Sequence, residues 1–155
     1  MHFVIGLGTN LGDREGYLRE AVARFRALPE VQVEALSHVY ETPPWGPPQP
    51  HYLNAAMRIA TQHSPLQVLA HCLAIEAALG RVRNERWGPR TIDLDVLYAE
   101  EEGVLLRVDE PGLAVPHPRL FERAFALAPM LDVMPHLAGV YGEGLEMPPR
   151  VAVAL

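Results

Sequence analysis

Twice along the chain the spacing of apolar residues switches from alternation to a helical repeat and back, and that ordering restricts the fold more than any single motif. Residues 2–7, HFVIGL, read as a short buried strand. Tyr17, Leu18, Ala21, Val22, Phe25 and Leu28 then recur at helical spacing up to Pro29, with Asp13 placed to cap the helix. Residues 31–41 alternate with β-branched and aromatic content, and residues 52–60 do so less cleanly. Between them lies the proline-stiffened loop TPPWGPPQPH, residues 42–51. Leu66, Leu69 and Leu73, with Val68, Cys72, Ile75 and Leu79 on a neighbouring line, make a second helix, apolar over most of its circumference and ended by Gly80. The strand TIDLDVLY follows at 91–98, then an acidic turn AEEEG, a short strand VLLRV and the start of a third helix at 121–127. After Pro135 glycine and proline are frequent, and only a strand at 151–154 is expected. The order β, α, β, β, α, β predicts an α+β fold, a ferredoxin-like βαββαβ plait whose helices cover a largely antiparallel sheet, with extra C-terminal strands. With neither repeat nor linker, residues 1–155 are expected to form a single domain able to bury its own core.

The formal charge of -6 argues against a nucleic-acid partner, because such proteins usually present a net basic face. No apolar run approaches the ~20 residues that a bilayer needs, and MHFVIGLGTN lacks a positive leader, so a cytoplasmic chain without membrane contact is expected. The lone Cys72 falls in an apolar helical pattern, where a thiol is more often a small buried hydrophobe than a nucleophile. All 13 basic residues other than histidine are arginine. The absence of lysine removes the Walker phosphate loop, the kinase strand lysine and Schiff-base chemistry together.

In TIDLDVLY, alternation puts Ile92, Leu94, Val96 and Tyr98 on one face and Asp93, Asp95 and Leu97 on the other. At ~3.3 Å per residue the two aspartates start about 6.6 Å apart, close enough to hold one hard cation or flank a pair. Magnesium with phosphate oxygens is the natural reading. An isolated DxD is more often a solvated strand edge, but here Arg81, Arg83, Arg86 and Arg90 stand immediately before it. Guanidinium forks bind phosphate oxygens bidentately, so four beside a carboxylate pair suggest a polyphosphate clamp rather than surface ion pairs. Trp45, displayed by the proline loop, suits the wall of a pocket for a planar ligand, although a polyproline ligand for another protein would share that composition. Tyr52 and Asn54 share a strand face, and an Asn amide can donate and accept at once to a heterocycle edge. GLGTNLG spaces its glycines as GxGxxxG, one residue too long for a dinucleotide fingerprint, and reads as a tight turn. The seven histidines are dispersed and form no zinc pattern; His117, ahead of Arg119 and Arg123, could contact a phosphate or simply open a helix. Glu76, an acid inside an apolar helix, needs a partner. A glycosyltransferase with a metal-binding DxD and a non-enzymatic plait domain remain alternatives at this level.

GLGTNLGD, ETPPWGP with YLNAA, GRVRNERWGPRTIDLDVLY and VPHPRLFERAF stand in an order and spacing that resemble the 6-hydroxymethyl-7,8-dihydropterin pyrophosphokinase family, over residues 3–132. The resemblance implies transfer of the β,γ-diphosphate of ATP to the hydroxymethyl group of a reduced pterin, releasing AMP. It implies two Mg2+ ions at Asp93 and Asp95, and ATP contacts from Arg81, Arg83, Arg90, His117 and Arg123, with Glu76 at the adenosine end. Arg81 and Arg90, with the two aspartates, would carry catalysis. Thr42, Pro44, Trp45, Tyr52 and Asn54 would line the pterin pocket, with Trp87 and Phe125 as aromatic walls. The glycine, proline and arginine loops would close over the substrates, and a monomer is expected. Trp45 stands where the family often has a smaller apolar residue, and Leu73 and Pro118 stand where some members turn polar or aromatic groups toward the nucleotide.

Overall fold

The computed structural model describes residues 1–44, 48–80, 91–120 and 123–155. Strand β1 (His2–Thr9) is followed by α1 (Arg14–Arg26), β2 (Val31–Leu36), β3 (Val39–Thr42), β4 (Tyr52–Thr61), α2 (Pro65–Ala78) and β5 (Asp93–Glu101). Short elements follow: β6 (Val104–Leu105), β7 (Val108–Glu110), β8 (Leu113–Val115), α3 (Ala124–Val133), a 3-10 turn (Pro135–Leu137), α4 (Ala138–Tyr141) and β9 (Arg150–Val151). The architecture is α+β: an antiparallel sheet in the order β6-β5-β1-β4-β3-β9, with β2 also paired to β4, and a separate β7-β8 hairpin.

The helix boundaries follow local chemistry. Asp13 caps α1 by accepting from the Gly16 amide, a bond whose loss typically costs ~1 kcal/mol. Ser64 and Gln67 form a reciprocal capping box on α2, Pro65 occupies its first turn, and Gly80 ends it at φ +79°. Leu18, Ala21, Val22 and Phe25 of α1 and Val68, Cys72 and Ile75 of α2 cover one face of the sheet, against Phe3, Ile5, Met57, Ile59, Leu94 and Val96. Helix α3 covers part of the opposite face through Leu127, Met130 and Val133, against Val4, Ala56 and Leu97. Each such large side chain removed from water contributes about 1.5–3 kcal/mol. Among the described residues no helix is long and apolar enough to cross a membrane.

Several expected boundaries shift. The strand expected over 31–41 is two, β2 and β3, both on β4. At the break, the Ser37 amide donates to the Ala56 carbonyl and the Ser37 hydroxyl accepts from the Ala56 amide, so a side chain replaces one rung of the ladder. VLLRV divides between β6 and β7: the two-residue turn Glu102-Gly103, both at positive φ, folds Val104–Leu105 back on β5, and Val108 pairs instead with Val115 of β8. The third helix runs from Ala124 to Val133 and accommodates Pro129, and the tail strand is Arg150–Val151. The register shift between β1 and β5 sends Tyr98 to the α3 face beside Leu97, rather than to the side of Leu94 and Val96. Strand β1 also runs to Thr9, so Gly6 and Gly8 lie within a strand, and of the predicted glycine turn only the part around Gly12, at φ +70°, remains.

Candidate active site

A cleft partly open to solvent lies on the α3 side of the sheet. Its floor follows from register. Gly8 sits between Asp93 on β5 and Asn54 on β4, and Gly6 sits between Asp95 and Ala56. Neighbouring strands are ~4.8 Å apart, so the Asn54–Gly8–Asp93 row is a trough about 10 Å across whose middle position has no side chain. A Cβ on Gly8 would stand 3.1 Å from Asn54 Oδ1 and 3.6 Å from the Tyr52 ring. Glycine here keeps open space that any other residue would fill.

One wall is polar and flat. Asn54 is buried, and its Nδ2 donates to Thr42 Oγ1 at 2.6 Å, which leaves Oδ1 leaning over Gly8. Tyr52 and Phe125 both line the cleft and supply aromatic surface. The other wall is charged. Asp93 and Asp95 project from alternate positions of β5, and Asp95 is 38% exposed with its carboxylate 4.0 Å from Arg123 Nη1. The Arg123 guanidinium also lies 5.6 Å from the centre of the Phe125 ring, so an ion pair and an aromatic face hold it at the cleft.

His117 reaches the same strand from the loop after β8. Its amide donates to the Leu97 carbonyl at 2.9 Å, and its Nδ1 accepts from the Arg119 amide at 3.2 Å. That bond leaves the proton of the neutral ring on Nε2. Burial, and then the positive charges of Arg123 and Arg119, hold its pKa below the ordinary histidine value, opposed by Asp93. Near neutral pH the ring is therefore an uncharged donor. Cys72 is buried beneath the sheet, and burial, reinforced by Glu76 and Asp95, pushes its thiol far above the usual range. It is no nucleophile.

Of the residues singled out from sequence, Thr42, Tyr52, Asn54, Asp93, Asp95, Arg123 and Phe125 meet in this one cleft. Pro43 lines it rather than its neighbour Pro44. Glu76 stands apart, buried on the α2 side, where its Oε2 accepts from the Leu94 amide at 2.7 Å. Arg81, Arg83, Arg86, Arg90, Trp45 and Trp87 lie outside the described residues. Gly6 and Gly8 are among the lining residues that sequence reasoning did not assign to the site, with Leu7, Pro43, Ala55, Leu97 and Ala126. The available signal for the glycines was their spacing of two at the end of a run that reads as a buried strand.

The chemistry of the donor set fits Mg2+. Among the described residues no group of three or more His, Cys, Asp or Glu side chains converges as a complete metal cage. A two-carboxylate site leaves most of a magnesium shell to water and phosphate oxygens, which is how this ion usually binds.

A sequence model of the family described as 7,8-dihydro-6-hydroxymethylpterin-pyrophosphokinase matches residues 4–135. Among curated relatives, the 2-amino-4-hydroxy-6-hydroxymethyldihydropteridine pyrophosphokinase of Methylorubrum extorquens is 47% identical over 134 residues, 86% of this chain and 82% of that protein. The enzyme of the same name from Bacillus subtilis is 45% identical over 130 residues, 83% and 75% of the two chains. That from Pseudomonas aeruginosa is 40% identical over 134 residues, 86% and 80%.

Proposed function

The chain belongs to the 7,8-dihydro-6-hydroxymethylpterin-pyrophosphokinase family, and from that premise we propose that its cleft transfers the β,γ-diphosphate of ATP to 6-hydroxymethyl-7,8-dihydropterin in folate biosynthesis. The hydroxymethyl oxygen bonds to Pβ and gives up its proton to water, the bond from Pβ to the α,β-bridging oxygen breaks, and AMP leaves with that oxygen. The observation that carries this reading is the Asn54–Gly8–Asp93 row. It puts a slot for a planar heterocycle next to a carboxylate pair and a held guanidinium.

In this reading the pterin lies over Gly8, with its edge donating to Asn54 Oδ1 and its faces against Tyr52 and Phe125. Thr42 fixes the Asn54 amide, so the acceptor is oriented before the ligand arrives. Two Mg2+ ions would be held by Asp93 and Asp95, and when bound they supply charge neutralisation for the phosphates. Arg123 and the Nε2–H of His117 donate to phosphate oxygens, and Arg81, Arg83 and Arg90 complete the clamp. Pro44, Trp45 and Trp87 would close the pterin pocket. Among the described residues that line the cleft, none besides the two aspartates assigned to the metal is a base, so positioning and electrostatics carry the rate, as in other phosphoryl transfers.

The strand order β5-β1-β4-β2/β3, antiparallel throughout with α1 and α2 on one face, supports reading the core as a ferredoxin-like plait to which β6, β9 and α3 are added. We take residues 1–155 as one such domain, acting as a monomer. The decisive experiment incubates the protein with ATP, Mg2+ and the reduced pterin alcohol. AMP and the pterin diphosphate are expected in equal amounts; ADP as the nucleotide product, or no turnover, would overturn the reading.

A further inference from the structure

Two acids are buried among the described residues, Glu76 and Glu100, and neither lines the cleft; Glu100 meets His136 at 3.1 Å. Glu76 is 3% exposed, on the face of α2 that also buries Val68, Cys72 and Ile75, and a carboxylate there is costly unless it is well bonded. Its Oε2 accepts from the Leu94 amide at 2.7 Å, a short charge-assisted bond. Leu94 is the residue between Asp93 and Asp95.

The need for that bond follows from topology. On its inner side β5 pairs with β1 along this stretch, Asp93 opposite Gly8 and Asp95 opposite Gly6. On its outer side β6 reaches only Glu100 and Glu101. Among the described residues, the outer edge over Asp93–Tyr98 is therefore paired with no strand, although β8 passes nearby. An amide on such an edge has no partner from the ladder and must find another. Glu76 supplies it at Leu94, and the His117 amide serves the Leu97 carbonyl further along. The carboxylate of a helix thus takes the place of a missing strand at the segment that carries both cleft aspartates. Leu94 packs toward α2 while Asp93 and Asp95 face the cleft, so one hydrogen bond on the far side fixes two carboxylates on the near side.

We propose that Glu76 is a positioning residue that holds the Asp93–Asp95 segment in place through the Leu94 amide, rather than a ligand for the adenosine of ATP. The proposal rests on reading Asp93 and Asp95 as the metal-holding pair. Partners that orient ligands from behind typically affect metal affinity or activity by about 10- to 100-fold when removed.

The test compares Glu76→Gln, which keeps an acceptor for Leu94, with Glu76→Leu, which does not. Each is measured for kcat, for KM of both substrates, for Mn2+ affinity in the presence of a non-hydrolysable ATP analogue, and for hydrogen exchange at the Leu94 amide. Glu76→Leu is expected to lose about 10- to 100-fold in kcat and in Mn2+ affinity, with faster exchange at Leu94 and little change in pterin KM. Glu76→Gln should restore most of both. A folded Glu76→Leu protein with normal kcat and Mn2+ affinity would overturn the proposal. So would a Glu76→Gln protein whose defect is confined to the KM for ATP, the result expected of an adenosine ligand. If Glu76→Leu does not fold, Glu76→Gln decides alone: Leu94 protection and Mn2+ affinity retained with the KM for ATP unchanged support the proposal, and either one lost with the fold intact, or a defect confined to the KM for ATP, refutes it. Asp93→Ala serves as the separating control. Full Mn2+ affinity in that variant would sink the metal-pair reading itself, whatever Glu76 does.

Discussion

At the scale of single residues the cleft depends as much on an absent side chain as on those present. Gly8 and Gly6 are both strand glycines on the cleft side, yet a Cβ would have different consequences at each. At Gly6 it would come within 3.0 Å of Leu97 Cδ1, the end of a flexible side chain that can give way. At Gly8 it would meet Asn54 Oδ1 at 3.1 Å, an oxygen already fixed through Thr42. Gly8→Ala is therefore expected to fold and to raise the pterin KM about tenfold or more, roughly 1.4 kcal/mol, leaving ATP binding nearly unchanged. Steady-state kinetics with each substrate varied would check this, and equal losses for both would contradict it. Asp95→Ala removes a ligand from the proposed metal pair and is expected to lower kcat about 100- to 1,000-fold with its melting temperature retained. Near-normal rates at saturating Mg2+ would end the metal assignment. The aspartates, Tyr52 and Asn54 were legible in the sequence because a strand's period of two announces shared faces. The two glycines were not, because a turn and an open trough use the same residue for different reasons.

At the scale of elements, the turn after β1 and the end of the proline loop are tied to each other. The buried Asn10 donates through Nδ2 to Gln49 Oε1 at 2.8 Å and to the Pro50 carbonyl at 3.0 Å. Nearby, Arg14 donates to the His51 carbonyl at 3.0 Å and lies 3.4 Å from Glu41. The turn after β1 thus anchors the end of the proline loop just before β4 begins. Asn10→Ala removes two bonds whose acceptors, on half-buried Gln49 and exposed Pro50, can turn to water, and is expected to cost about 0.5–1.5 kcal/mol in urea unfolding, with faster proteolytic cleavage in the loop of residues 42–51. Unchanged stability and cleavage would show that the latch carries no load. Helix positions were legible because caps and apolar stripes are local signals, as at Asp13, Ser64 and Gly80. The division of residues 31–41 and the turned face of Tyr98 were not. Each depends on what the neighbouring strand offers, the Ala56 peptide in one case and the register of β1 in the other.

At the scale of the whole molecule, packing sets a pH dependence that no segment shows alone. His71 on α2 meets His63 across a 3.0 Å ring contact, and burial, followed by the charge of His63, holds its pKa below the ordinary value. The unfolded chain then binds a proton at higher pH than the folded one. This contribution to stability is fully present above ~6.5 and is lost progressively as pH falls from there toward the depressed folded value. Unfolding midpoints should therefore fall between pH 7.5 and 5.5, and His71→Gln should flatten part of that slope; an identical slope in parent and variant would remove His71 as a cause. His117 is shifted in the same direction and adds to the trend in the free enzyme. By itself the sequence determined the alternation of strands and helices, the class of the fold, the facing pair of aspartates and the family, because each is carried by local periodicity or by motifs of fixed spacing. Only the tertiary structure decided that Asn54, Gly8 and Asp93 form one row, that Tyr98 turns away from Leu94, and that Glu76 serves the Leu94 amide. Those facts depend on strand register and on which edge of β5 lacks a neighbour, and both are set by pairing between segments far apart in the chain.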